Sequence, residues 1–130
     1  MTERAKNVTV RLQDLENFTS NDIEASLKRA DPVELQLVSI TIALSFPDMA
    51  IAQDACVKLC SHEDHKVRGN AVISLGYLAR RFRVLDEQLV KPVIESALRD
   101  GDEDVRTLAA SAADEIHQFL HWQIAGHVYG

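Results

Sequence analysis

One sentence is written twice in this chain. Residues 62–76 read HEDHKVRGNAVISLG, and residues 102–113 read DEDVRTLAASAA. Each has an acidic turn, then a Val-Arg doublet (Val67-Arg68 and Val105-Arg106), then small or apolar residues at four-residue steps. Those are Ala71 and Leu75 in the first copy, Ala109 and Ala113 in the second. The doublets stand 38 residues apart. A looser copy, Asp31-Pro32-Val33, lies 34 residues before Val67 and continues through Leu37, Ile40 and Leu44. Three copies of a unit of roughly 34 to 40 residues predict a stacked helical array, because such a unit buries its apolar face only against its neighbours.

The remaining sequence agrees with helix. Five glycines, three prolines and 5 % aromatics in 130 residues leave few turn-formers and little strand chemistry. The length predicts one domain, 1–130, large enough to bury a core without staples. The longest apolar run falls well short of the ~20 residues a spanning helix needs. The opening MTERAKNVTV is charged and lacks the apolar stretch of a secretory signal. Cys56 and Cys60 stand four apart on one predicted helix, a spacing that rarely meets disulfide geometry, so both are expected as free thiols in a cytoplasmic, reducing compartment.

The net charge of -6 is unevenly spread. Residues 67–99 carry six basic side chains against three acidic ones, whereas residues 100–130 carry Arg106 alone against six acids. An acidic chain is a poor match for phosphate backbones or anionic membranes and a good match for a basic protein. The composition therefore points to no nucleic acid, no membrane and no cofactor, with the monomer as the favoured state.

Taken in order, residues 4–17 place Val8, Leu12 and Leu15 near helical spacing and predict a helix that caps the first unit. Ser20 reads as the N-cap of a helix with Ile23 and Leu27 inward, and Asp22 favours its first turn. Asp31-Pro32-Val33-Glu34 is a strong start, with Asp31 capping, Pro32 at the first position and Glu34 placed for a capping box. The helix it opens is apolar nearly all round (Leu35, Leu37, Val38, Ile40, Ile42), as for a helix sandwiched between neighbours. Pro47 opens the next, to about residue 60, with Ile51, Ala55, Val57 and Leu59 for burial. A long helix then runs from about 64 to 82. Residues 85–99 enclose Pro92, which predicts a kink or break. Gly101 reads as a left-handed stop. Residues 102–125 read as one final helix ended by Gly126, with the last four residues lightly packed.

The units compare as 20–44, 47–82 and 85–125, and Ile23-Glu24-Ala25-Ser26-Leu27 matches Ile94-Glu95-Ser96-Ala97-Leu98. This pattern, a helix, an acidic turn at Asp64 or Asp102, and a Val-Arg doublet opening the second helix, resembles the HEAT repeat. The resemblance covers about residues 20–125, and Glu34 departs from it where arginine would stand, as suits a terminal unit. It implies an all-α, right-handed α-solenoid of about three HEAT-like hairpins with an N-terminal capping helix. In such arrays the acid and the arginine tie neighbouring turns together, and second helices line a concave binding face.

Arg68 and Arg106 each follow an acid by four residues, Asp64 and Asp102, which predicts i, i+4 ion pairs. Asp114, His117 and His121 stand at i, i+3 and i+7 on one face of the expected last helix. Without an HExxH pattern that face reads as solvated contact surface, not as a metal site. Tyr77 and Arg81 on the middle second helix and Trp122 near the end of the last are residue types that anchor interfaces. Residues 100–104, DGDED, resemble the start of a calcium loop but lack its remainder, and helix capping explains them. No phosphate loop, GxSxG elbow or Cys/His nucleophile pair is present, so the chain is expected not to be an enzyme.

Small acidic bacterial immunity proteins that block basic toxins, often nucleases, are similar to this chain in size and charge, and some are helical arrays. The expected role is therefore a non-catalytic protein-binding module, foremost an immunity protein, with a scaffold or adaptor as the alternative. The expected contact residues are Tyr77, Arg81, Asp114, His117, His121 and Trp122 on the concave side, and Asp102, Glu103 and Asp104 on the edge of acidic turns. DNA glycosylases and bilin lyases also include HEAT-like arrays. The first need a basic channel, and nothing in this chain matches a site of the second.

Overall fold

The computed structural model describes residues 18–128. The capping helix expected over 4–17 lies outside the described residues. Among those described there are six α-helices and no strand: α1 (Ser20–Arg29), α2 (Pro32–Ser45), α3 (Met49–Leu59), α4 (His65–Phe82), α5 (Glu87–Ala97) and α6 (Glu103–Leu120). No helix among them is long and apolar enough to cross a membrane.

Every helix starts on a polar cap. Asp31, Asp48, Asp64, Asp86 and Asp102 accept backbone N–H bonds ahead of α2 to α6. Each satisfies donors that the first turn leaves without partners. Before α1 the cap is Thr19, not Ser20. Thr19 Oγ1 accepts from the backbone of Asp22, whose carboxylate accepts in return from Thr19 N (2.8 Å), a closed capping box. Glu34 makes no box. It is turned inward, 4 % exposed, and accepts from Arg29 Nε (3.0 Å) and Ser26 Oγ (3.3 Å) of α1.

Helix ends depart from the sequence expectations in three places. α5 runs unbroken through Pro92, because the carbonyl that proline cannot reward belongs to Gln88, and both residues are exposed to water. Gly101 is not left-handed; α5 ends through Leu98 in right-handed geometry. α6 stops at Leu120, five residues early, because His121 adopts φ 63° and turns the chain back. The returning segment is held by buried Ile124, by Ala125 N donating to Glu95 Oε2 (2.8 Å), and by His127 Nε2 set 2.7 Å from Asp114 Oδ1. It is thus more firmly packed than the last residues of the sequence suggest.

The even helices pack on one another. α4 lies between α2 and α6, and also rests on α3. Val67, Ala71, Leu75, Val105, Ala109 and Ile116 are all fully buried, as their spacing requires. Ile23 and Ile94, matched between α1 and α5, are likewise both buried. α4 and α6 approach closely at Gly76, where a β-carbon would sit 3.1 Å from Ala112 Cα. The expectations for α2 and α3 hold only in part. Leu35, Val38 and Ile42 are buried, but Leu37 is 44 % exposed, and on α3 Ala52 and Cys56 fill the core while Ile51 stays at the surface. No disulfide joins Cys56 and Cys60, and burial pushes the Cys56 thiol up to about 12.

One polar atom in this core is an orphan. Ser39 Oγ is buried without a hydrogen-bond partner. Ser45 and Ser74, by contrast, return their hydroxyls to the carbonyls of Thr41 and Asn70. An unsatisfied buried hydroxyl costs about 1–3 kcal/mol, so Ser39→Ala is expected to raise stability by about 1 kcal/mol in urea unfolding. A loss of stability would show that the hydroxyl has a partner in solution.

Candidate interaction surfaces

Two surfaces emerge from the packing. The first is the edge formed by the turns ahead of α4 and α6. Asp64 caps α4 by accepting from Lys66 N (2.8 Å) and Val67 N (3.2 Å), and the Val67 bond foremost holds its carboxyl below the usual range. Asp102 caps α6 through Val105 N (3.1 Å) and meets His65 Nδ1 at 3.2 Å. The calcium-loop likeness therefore resolves as capping. The arginines do not pair within their own turns, because those carboxylates are occupied by backbone donors. Arg68 reaches across to Asp100 with two bonds of 2.8 and 2.9 Å, and Arg106 donates to the carbonyl of Asp100 (2.7 Å). These contacts bring the two acidic turns side by side and leave Glu63, Glu103 and Asp104 exposed.

The second surface is the outward side of the even helices. A groove of about 400 Å³ runs across it, lined by Gln36, His65, Lys66, Asn70, Asp104, Thr107 and Leu108. Asn70 Nδ2 spans it to the carbonyl of Gln36 (2.7 Å). Further along α4, half-buried Tyr77 lies beneath the Arg80 guanidinium, 5.9 Å from the ring centroid, and Arg80 is ion-paired with Glu115 of α6. Glu115 was not singled out in the sequence. Its signal was available, since it stands 38 residues after Tyr77, the spacing of the two doublets.

The other expected contact residues are distributed differently. Arg81 donates to the carbonyl of Ala43 (3.1 Å) and stacks on Phe82, so its guanidinium holds the C-terminal end of α2. Desolvation lowers its pKa. Asp114 does not stand beside Tyr77; it faces His127 of the returning segment. His117 Nδ1 donates to the carbonyl of Trp122 (2.9 Å), fixing the turn after α6. His121 is the left-handed cap and leaves the helical face that Asp114 and His117 occupy. Trp122 follows the helix and is partly buried against the core. No group of three or more metal-ligating side chains occurs among the described residues.

Compared with protein-family models, with curated proteins and with solved structures, the chain matches none.

Proposed function

We propose that this chain is a HEAT-like, right-handed α-solenoid acting as a non-catalytic protein-binding module whose partner is a basic protein. A cognate toxin of nuclease type has the matching chemistry, and an immunity role is the reading that best unites acidity with an array. The supporting observation is the edge where Glu63, Glu103 and Asp104 stand exposed on adjacent turns in a chain of net charge -6. Such acids steer a basic partner and raise its association rate. Tyr77, flat beneath Arg80 and half-buried, offers an aromatic anchor of the kind that carries binding energy at a desolvated centre.

Capture with the tagged chain from its own host, followed by kinetics on whatever basic protein is retained, tests this. Asp104→Lys is expected to slow association several-fold at low salt, with the difference shrinking as ionic strength rises. Tyr77→Ala is expected to speed dissociation by about tenfold or more. If only nucleic acid or a small molecule is retained, the binding-module reading fails. If a basic protein is retained and both variants bind it like the parent, these surfaces are the wrong ones.

A further inference from the structure

The open side of α2 is a helix seat. Val33, Leu37, Ile40 and Leu44 stand at steps of four, three and four, and so form one stripe. Val33 is 56 % exposed and Leu44 61 %. Thirty-four residues on, the same register holds Val67, Ala71, Ser74 and Leu78 of α4, all fully buried. Thirty-eight further, it holds Val105, Ala109, Ala112 and Ile116 of α6, also fully buried. In both later helices these positions face the even helix before them. Val67 and Ala71 pack with Leu35 of α2, and Ala112 packs on Gly76 of α4. On α2 the register is kept, but no described residue fills the preceding place. The opposite end of the row is finished in polar chemistry, with Thr107, Asp114 and Gln118 of α6 exposed. End units of stacked arrays need such a polar outer face, and α2 lacks one.

We propose that residues 4–17 of the same chain occupy this seat. The way the chain enters α1 supports that choice. α3 and α5 each follow an even helix through a short link carrying a buried apolar residue and an aspartate cap, Phe46 with Asp48 and Leu85 with Asp86. Phe18-Thr19 repeats that arrangement before α1, with Phe18 packed on the core and Thr19 capping. An even-type helix is therefore what belongs ahead of Phe18. The length suffices: α2 has 14 residues, about 21 Å at 1.5 Å per residue, and seventeen precede Phe18. Ala5, Val8, Leu12 and Leu15 recur at steps of three, four and three, an apolar face of the right kind. The seat presents no charge against it, because the one charged residue of α2, Glu34, is turned inward onto Arg29. A tethered segment also outcompetes a free partner through its effective concentration.

Hydrogen exchange on the full chain, together with a double-mutant cycle, tests the assignment. Amides of residues 5–16 are expected to exchange at least tenfold more slowly than an unstructured peptide of that sequence, and Leu37→Asp should abolish this. Leu12→Asp and Leu37→Asp should each lower the urea midpoint, and the double variant should fall no further than the worse single one. Should Leu37→Asp not fold, wild-type exchange and Leu12→Asp still decide. Peptide-like exchange across 5–16 with an unchanged midpoint for Leu12→Asp would overturn the proposal. So would a dimer in sedimentation that Leu37→Asp dissociates, which would give the seat to a second copy.

Discussion

Replacing Leu75 by alanine is expected to cost about 2–5 kcal/mol of stability, the range for a buried large-to-small change. Leu75 is fully buried near the centre of α4, the helix that touches α2, α3 and α6 at once. The lost methyl groups would leave a void that cannot close easily. α4 is already in near contact with α6 at Gly76, so neither helix can move inward there. Urea unfolding measures the effect, with an unchanged denaturant slope confirming that only stability moved. Val84→Ala, at a position 52 % exposed, should stay within about 0.5 kcal/mol and serves as the control. A loss that small for Leu75 would mean that α4 faces the other way.

What made Leu75 legible was period. Val67 and Val105 mark equivalent places in two copies, and a four-residue step from each leads to buried positions. The match of 23–27 with 94–98 worked for the same reason. Periodicity reports which side of a helix is apolar. It does not report whether a neighbour covers that side, so Leu37 and Leu35 look alike in the sequence and differ in exposure.

Helix ends were less legible where tertiary contacts set them. No glycine or proline stands between residues 102 and 125, and the pattern alone reads straight through. The stop at His121 comes from the burial of Ile124 and from the bonds that bring Glu95 and Asp114 against the returning chain. That turn also dispersed the expected row of Asp114, His117 and His121. Glu115 stayed hidden because attention followed residue type, whereas register with Tyr77 pointed to it.

Arg68 shows the same limit for charge and carries the second large expectation. Asp64, four residues before it, was the nearer acid in sequence, yet that carboxylate serves the backbone of Lys66 and Val67. Arg68 instead grips Asp100, 32 residues away, and adds bonds from Nη1 to the carbonyls of His62 (3.0 Å) and Glu63 (3.1 Å). The two side chains are only 20 % and 15 % exposed, so this pair is less screened than a surface bridge. Arg68→Ala removes four charge-assisted bonds and leaves Asp100 with the Asp102 N–H alone, and is expected to cost about 1.5–3 kcal/mol. Arg68→Lys should recover only part of this, since an ammonium cannot reproduce the two-pronged grip. Acid supplies a second readout. The hydrogen bond from Arg68 holds the Asp100 carboxyl below the usual range. With the folded pKa depressed, the unfolded chain binds the proton more readily, so this contribution is complete above the ordinary carboxylate value of about 3.9 and is lost as pH falls through the lower folded one. The urea midpoint of the parent should therefore drop more steeply between about pH 5 and pH 2.5 than that of Arg68→Ala. Parallel curves for the two proteins, or a loss under about 0.5 kcal/mol at neutral pH, would mean that the turns are held together without this pair.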